Sequence, residues 1–129
     1  MVNHYNIFLD DCRSPSYLKD IRSWEVVRNY QELVKLISEK GIPEFISFDH
    51  DLAIEHYPLF ENENREIPYG EYKEKTGYHC AQWLIDYCLE HNIPFPDYQV
   101  HSMNPVGRLN IISLLENFKE WQKDTGITN

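Results

Sequence analysis

Apolar and polar positions along this chain follow two alternating periods. YNIFL, residues 5–9, is too short for a helix and too greasy for a surface loop, so it reads as a buried strand ending at Asp10-Asp11. In DCRSPSYLKDIRS, which follows, Pro15 and the serines predict a loop with a turn of helix. WEVVRN, residues 24–29, is β-branched and aromatic and predicts a second strand. The period then becomes helical: Leu33, Val34, Leu36 and Ile37 run until Gly41 and Pro43, with Asn29 and Glu32 at capping-box spacing. EFISF, residues 44–48, is a third strand, and Asp49-His50-Asp51 stands at its end. Thr76 caps a helix over GYHCAQWLIDYCLEHN, whose Ala81, Leu84, Ile85, Cys88 and Leu89 form one apolar stripe. DYQV, residues 97–100, is a fourth strand and empties into His101-Ser102-Met103-Asn104. Asn104-Pro105 then places an N-cap before proline at the first helical position, opening an amphipathic helix that runs towards Trp121.

Strands alternating with helices imply an α/β fold: a short, mainly parallel sheet with right-handed crossovers and helices on both faces, a three-layer sandwich. Ligands of such open sheets bind beyond the carboxyl ends of the strands. In a doubly wound order such as 2-1-3-4, the first, third and fourth strands are neighbours. Their three polar ends, Asp10-Asp11-Cys12-Arg13, Asp49-His50-Asp51 and His101 to Asn104, are then expected to share one rim. Residues 53–75, rich in Glu, Asn, Pro and Tyr, are too many for an ordinary connection and read as a solvated insertion or as a lid.

With 129 residues, 42% of them apolar, the chain has material for a single domain spanning 1–129. Twenty-one acids against twelve bases leave a charge of −9, which argues against bulk attraction to nucleic acid or to an anionic membrane. A small phosphorylated ligand remains compatible where local positive charge or a metal offsets that field. No apolar run approaches the roughly 18 residues of a membrane span, and MVNHYN lacks a basic leader, so a cytoplasmic location is expected. Cys80 and Cys88 stand eight positions apart on one predicted helix, about 12 Å at its rise per residue, and cannot bridge. Cys12 lies beside Asp10 and Asp11, which disfavour its thiolate, and reads as a buried or bystander thiol.

The residue types at the rim suggest a chemistry. Asp10, Asp11 and Asp49 offer hard oxygen ligands suited to Mg²⁺. His50 and His101 are the side chains that exchange protons near neutral pH, and two of them flanking a phosphorus would serve as base and acid, with Asp51 orienting one. Each has an ordinary reading too: acid doublets form turns, and a single histidine at a strand end is often structural. The helix opening at Asn104, with Ser102, Gly107 and Arg108 nearby, makes a phosphate site or only a cap, and Arg13 clamps a phosphate or pairs with Asp11. Zinc on Asp49, His50 and His101 lacks the close ligand spacing such sites show.

FLDDCRSP, ISFDHDL, KTGYHCAQWL and VHSMNPVGRLNI resemble, in order, the motifs of the cyclic-phosphate processing receiver-like family. The resemblance implies a receiver-like, flavodoxin-like fold and a cyclic phosphate from RNA or nucleotide metabolism as substrate. Carried onto this chain, it adds Thr76 and Gly77 to Arg13, Ser102, Asn104, Gly107 and Arg108 as substrate-binding candidates. Compared with a phosphorelay receiver, the fifth strand and its lysine are missing after Val100, and His50 and His101 have no counterpart. Two readings follow: a metal-assisted phosphoesterase, or a non-catalytic receiver-like module that binds a phospho-ligand or signals. An interaction protein with a merely structural rim is the bland third.

Overall fold

The computed structural model describes residues 4–18, 23–56 and 66–127. Strands β1 (Asn6–Leu9), β2 (Trp24–Val27), β3 (Phe45–Phe48) and β4 (Asp97–Val100) form one all-parallel sheet in the order β2-β1-β3-β4. Helix α1 (Tyr30–Lys40) connects β2 to β3, α2 (Gly77–His91) connects β3 to β4, and α3 (Pro105–Asp124) follows β4. The register decides where the polar ends emerge. Leu9 pairs with Phe48, and Phe48 with Val100, so Asp10, Asp49 and His101 leave three adjacent strands at one level. Backbone bonds from Asp49 N–H to Leu9 C=O, 2.9 Å, and from His101 N–H to Phe48 C=O, 2.9 Å, hold them there.

Alternation along the strands separates two faces. Ile7, Leu9, Ile46 and Phe48 join Leu33 and Ile37 of α1, Cys80, Leu84 and Cys88 of α2, and Ile111 and Leu115 of α3 in one buried core. Each large aliphatic or aromatic side chain so buried contributes about 1.5–3 kcal/mol. Phe8 lies on the opposite face, edge-on to Trp24 and stacked on the His101 ring at 4.5 Å. Among the described residues, therefore, all three α-helices feed the core on one face rather than on both as expected, and an aromatic and polar cluster takes the other face. The reason is that the described part of the β1–β2 connection forms only a 3₁₀ turn, Pro15–Leu18.

The helix ends follow from their caps. Asn29 accepts the Glu32 N–H, 2.8 Å, but Glu32 reaches past it to the Arg28 N–H, 2.9 Å, so the box expected there closes one residue early. Arg28 therefore leaves the sheet, and β2 ends at Val27 rather than at Asn29. Asn92 ends α2 in the left-handed region, φ 54°. Thr76 is fully buried and accepts the N–H groups of Tyr78 and His79, while His79 Nδ1 accepts the Thr76 N–H at 2.9 Å. Thr76→Ala should thus lower stability by about 1–2 kcal/mol, read as a shifted urea midpoint, while Thr76→Ser retains most of it.

Residues 57–65 of the expected insertion lie outside the described residues. The described residues on either side of them are tied together. His56, 2% exposed, accepts the Leu52 N–H through Nδ1 and donates from Nε2 to the Glu74 carbonyl, 2.7 Å. The Glu55 carboxylate accepts the N–H groups of Lys73 and Glu74. Among the described residues no helix is long and apolar enough to cross a membrane.

Candidate functional site

Asp10 is fully buried at the end of β1, and both of its carboxylate oxygens are engaged. Oδ1 accepts the backbone N–H groups of Cys12, 3.0 Å, and Arg13, 2.8 Å. Oδ2 faces Arg13 Nε at 2.9 Å and His101 Nε2 at 3.0 Å. Burial pushes the Asp10 carboxyl up, but the His101 bond, the two N–H groups and the Arg13 charge outweigh it and hold the group well below the usual carboxylate range. Arg28 braces the turn from below, donating from Nη1 to the carbonyls of Asp10 and Arg13 at 3.1 and 2.6 Å.

Asp49 contrasts with it. It is 5% exposed, accepts the His50 N–H at 2.8 Å, and stands 3.7 Å from Arg13 Nη2. Burial first, then the neighbouring Asp10 charge, raise its carboxyl to about 6, against the lowering pull of His101 and Arg13. One guanidinium thus serves two buried carboxylates, and a bound cation would relieve such a concentration of negative charge.

Ligand atoms of Asp10, Asp49 and His101 lie within 4.8 Å of one another, as do those of Asp10, Asp11 and Cys12. These acidic and histidine groups fit a metal ion by donor type and spacing. Ligation through Asp10 would exchange its bond to Arg13 or His101 for the ion.

The expected rim forms in part. A cleft of about 400 Å³ opens at the ends of β1 and β3 and the start of α3, lined by Asp11, Cys12, Arg13, Asp49, Asp51, Met103 and Asn104. His101 backs this corner from the side, its Nδ1 2.7 Å from Ser47 Oγ, and Gln99 Nε2 donates to that Oγ at 2.9 Å. Cys12 is exposed, and the Asp11 charge raises its thiol, so the bystander reading fits.

The two imidazoles do not flank one space. His50 is fully buried under the first turn of α3, its Nδ1 2.6 Å from Asp51 Oδ1 and its Nε2 2.8 Å from the Tyr69 hydroxyl. Gly107 makes room for that ring, because a Cβ there would stand 2.5 Å from His50 Nδ1. Gly77 makes a similar approach to the Asp49 backbone, and Thr76 caps α2. Ser102 accepts the Asn104 N–H, and Asn104 caps α3 at the Gly107 N–H while donating to Asp51 at 3.0 Å. Arg108 lines a separate groove beside β4 with Gln99, His101 and Lys119. Of the substrate-binding candidates, only Arg13 and Asn104 line the cleft.

A family model described as the cyclic-phosphate processing receiver domain matches residues 5–117. The chain belongs to this family. No curated protein and no solved structure matches the chain. In this cyclic-phosphate processing receiver domain the sheet is all-parallel, and Asp10 and Asp49 stand at the ends of its β1 and β3 strands.

Three contributors escaped the sequence reading. Ser47 is a polar residue within an apolar strand, and strict alternation would have placed it on the face opposite the core. Arg28 and Tyr69 carried no local signal, because their partners are distant in sequence.

Proposed function

We propose that the protein is a metal-assisted phosphoesterase that opens a cyclic phosphate of RNA or nucleotide origin. The observation that carries this reading is the charge of the cleft: among the described residues three carboxylates, Asp11, Asp49 and Asp51, line it beside one guanidinium, Arg13. An anionic ester enters such a space only with a cation. Asp10, Asp11 and Asp49 would hold a divalent ion, and Mg²⁺ suits their hard oxygens. When bound, such an ion polarises the phosphoryl oxygen and offsets the substrate charge.

The chain's own groups supply the rest. Arg13 faces the phosphate charge from the cleft wall. Asp51 takes the proton of the attacking water, which adds to phosphorus as one ester P–O bond breaks. The departing oxygen receives a proton from solvent at the open mouth, leaving a phosphomonoester. His101 hydrogen-bonds Asp10 and sets its orientation.

The test is a panel of 2′,3′-cyclic nucleotides followed by phosphorus NMR. With Mg²⁺ or Mn²⁺ a single phosphomonoester should accumulate, and chelation should suppress it at least about 100-fold. Absence of turnover with every metal would remove the enzyme. The alternative, phosphoryl acceptance on Asp49 as in a relay, is less well supported, because among the described residues no lysine lines the cleft and Ser102 is engaged in capping. A mass gain with acetyl phosphate that disappears in Asp49→Asn would favour it.

A further inference from the structure

Asp51 is the cleft carboxylate whose bonds lead deepest into the protein. It is 5% exposed; its Oδ1 faces His50 Nδ1 at 2.6 Å and accepts from Asn104 Nδ2 at 3.0 Å. His50 Nε2 faces the Tyr69 oxygen at 2.8 Å, and that oxygen accepts from Asn110 Nδ2 at 3.0 Å. The groups involved fix the direction of this line. An amide nitrogen only donates, so Tyr69 accepts from Asn110 and has its one proton left for His50. Burial pushes the Tyr69 phenol up to about 12, so it keeps that proton. His50 Nε2 then accepts, and the ring's proton sits on Nδ1, aimed at Asp51. Every hydrogen bond from Asn110 onward points to the cleft carboxylate.

We infer that Tyr69 and His50 are positioning residues that orient Asp51 as the proton acceptor of the cleft. Tyr69 belongs to the described flank that follows residues 57–65, a short 3₁₀ turn at Tyr69–Glu71. It is anchored by stacking on Tyr78 at 4.6 Å and edge-on against His79 at 5.5 Å. The connection between β3 and α2 thereby supplies a member of the site that neither the strand nor the helix carries. This inference rests on the proposed role of Asp51, although the hydrogen-bond chain itself can be tested without any activity.

Long-range proton–nitrogen NMR of the ¹⁵N-labelled protein reads the imidazole tautomer directly. His50 is expected to show a protonated Nδ1 and a bare Nε2; a proton on Nε2 instead would overturn the chain, whatever the enzyme does. Asn110→Asp keeps the shape but offers an acceptor, so the Tyr69 hydroxyl turns away and the bare-Nε2 signature of His50 should be lost. In both Asn110→Asp and Tyr69→Phe, kcat for 2′,3′-cyclic AMP should fall about three- to tenfold with KM held within about twofold, the worth of one hydrogen bond. An unchanged kcat beside an altered tautomer would refute the positioning role. Should the wild type turn over no cyclic phosphate, the proposed function falls, while the tautomer still decides the chain.

Discussion

Gly77→Ala is expected to prevent folding or to lower the melting temperature by about 10 °C or more, the effect of roughly 3 kcal/mol in a chain of this size. Alanine is ordinarily the better helix residue, by about 1 kcal/mol over glycine, so propensity alone predicts the opposite sign. Tertiary packing reverses it. A Cβ at position 77 would overlap the Asp49 carbonyl oxygen and stand 2.8 Å from its carbon and 3.0 Å from His50 Cα. Those are backbone atoms at the end of β3, which cannot swing aside as a flexible side chain could. The Gly77 N–H also bonds the His50 carbonyl at 2.7 Å, so separation of α2 from the strand would break a buried hydrogen bond as well. Gly70→Ala is the control: nothing lies within 4 Å of its Cβ, and the change should stay within about 0.5 kcal/mol. Thermal unfolding of both variants decides the matter, and a Gly77→Ala protein as stable as wild type would mean that α2 does not sit on β3 as described.

Asp49→Asn should have two opposed consequences. On the proposed function, turnover of a cyclic phosphate is expected to drop about 100-fold or more, because the substitution would remove an ionic ligand of the proposed metal. The metal-free protein should nonetheless become more stable at alkaline pH. Burial and the Asp10 charge raise the Asp49 carboxyl from 3.8 to about 6 in the folded state. Below pH 4 both folded and unfolded chains carry the proton, and this group contributes no difference. As pH rises from about 4 to 6 the unfolded chain ionises first, so folding stability is lost across that window. Above it the full penalty stands, at most about 3 kcal/mol for a displacement of this size. Asparagine has no charge to desolvate. Its advantage should therefore be absent near pH 4 and grow to a plateau above pH 7, measured as urea midpoints in chelator. A gain of equal size at every pH would point to altered packing instead. Such opposition between stability and activity is expected where a site concentrates like charges for its chemistry.

Much of the architecture could be read from the chain by itself. Four apolar runs of strand length, separated by helical periods with Asn29, Thr76 and Asn104 at their caps, specify the parallel sheet, and the observed order β2-β1-β3-β4 is the one expected. Local signals suffice here because capping and hydrophobic period act over a few residues. The acidic ends of β1 and β3 were legible for the same reason: charges following a buried strand must leave the core. The roles within the rim were less legible. His50 and His101 look equivalent in sequence, each directly following a strand or one residue beyond it.

What the sequence determined by itself, then, was the set of elements, their parallel order and the edge at which polar side chains gather. The tertiary structure alone decided which of those side chains reach the cleft. It buried His50 beneath Gly107 and bonded it to Tyr69, turned His101 onto Phe8 to hold Asp10, and gave Arg13 to two carboxylates at once. The physical reason is range. Hydrophobic period and capping are written within one turn or one strand, whereas the partner of a buried polar group is whichever donor or acceptor packing brings alongside, here up to 91 positions away along the chain.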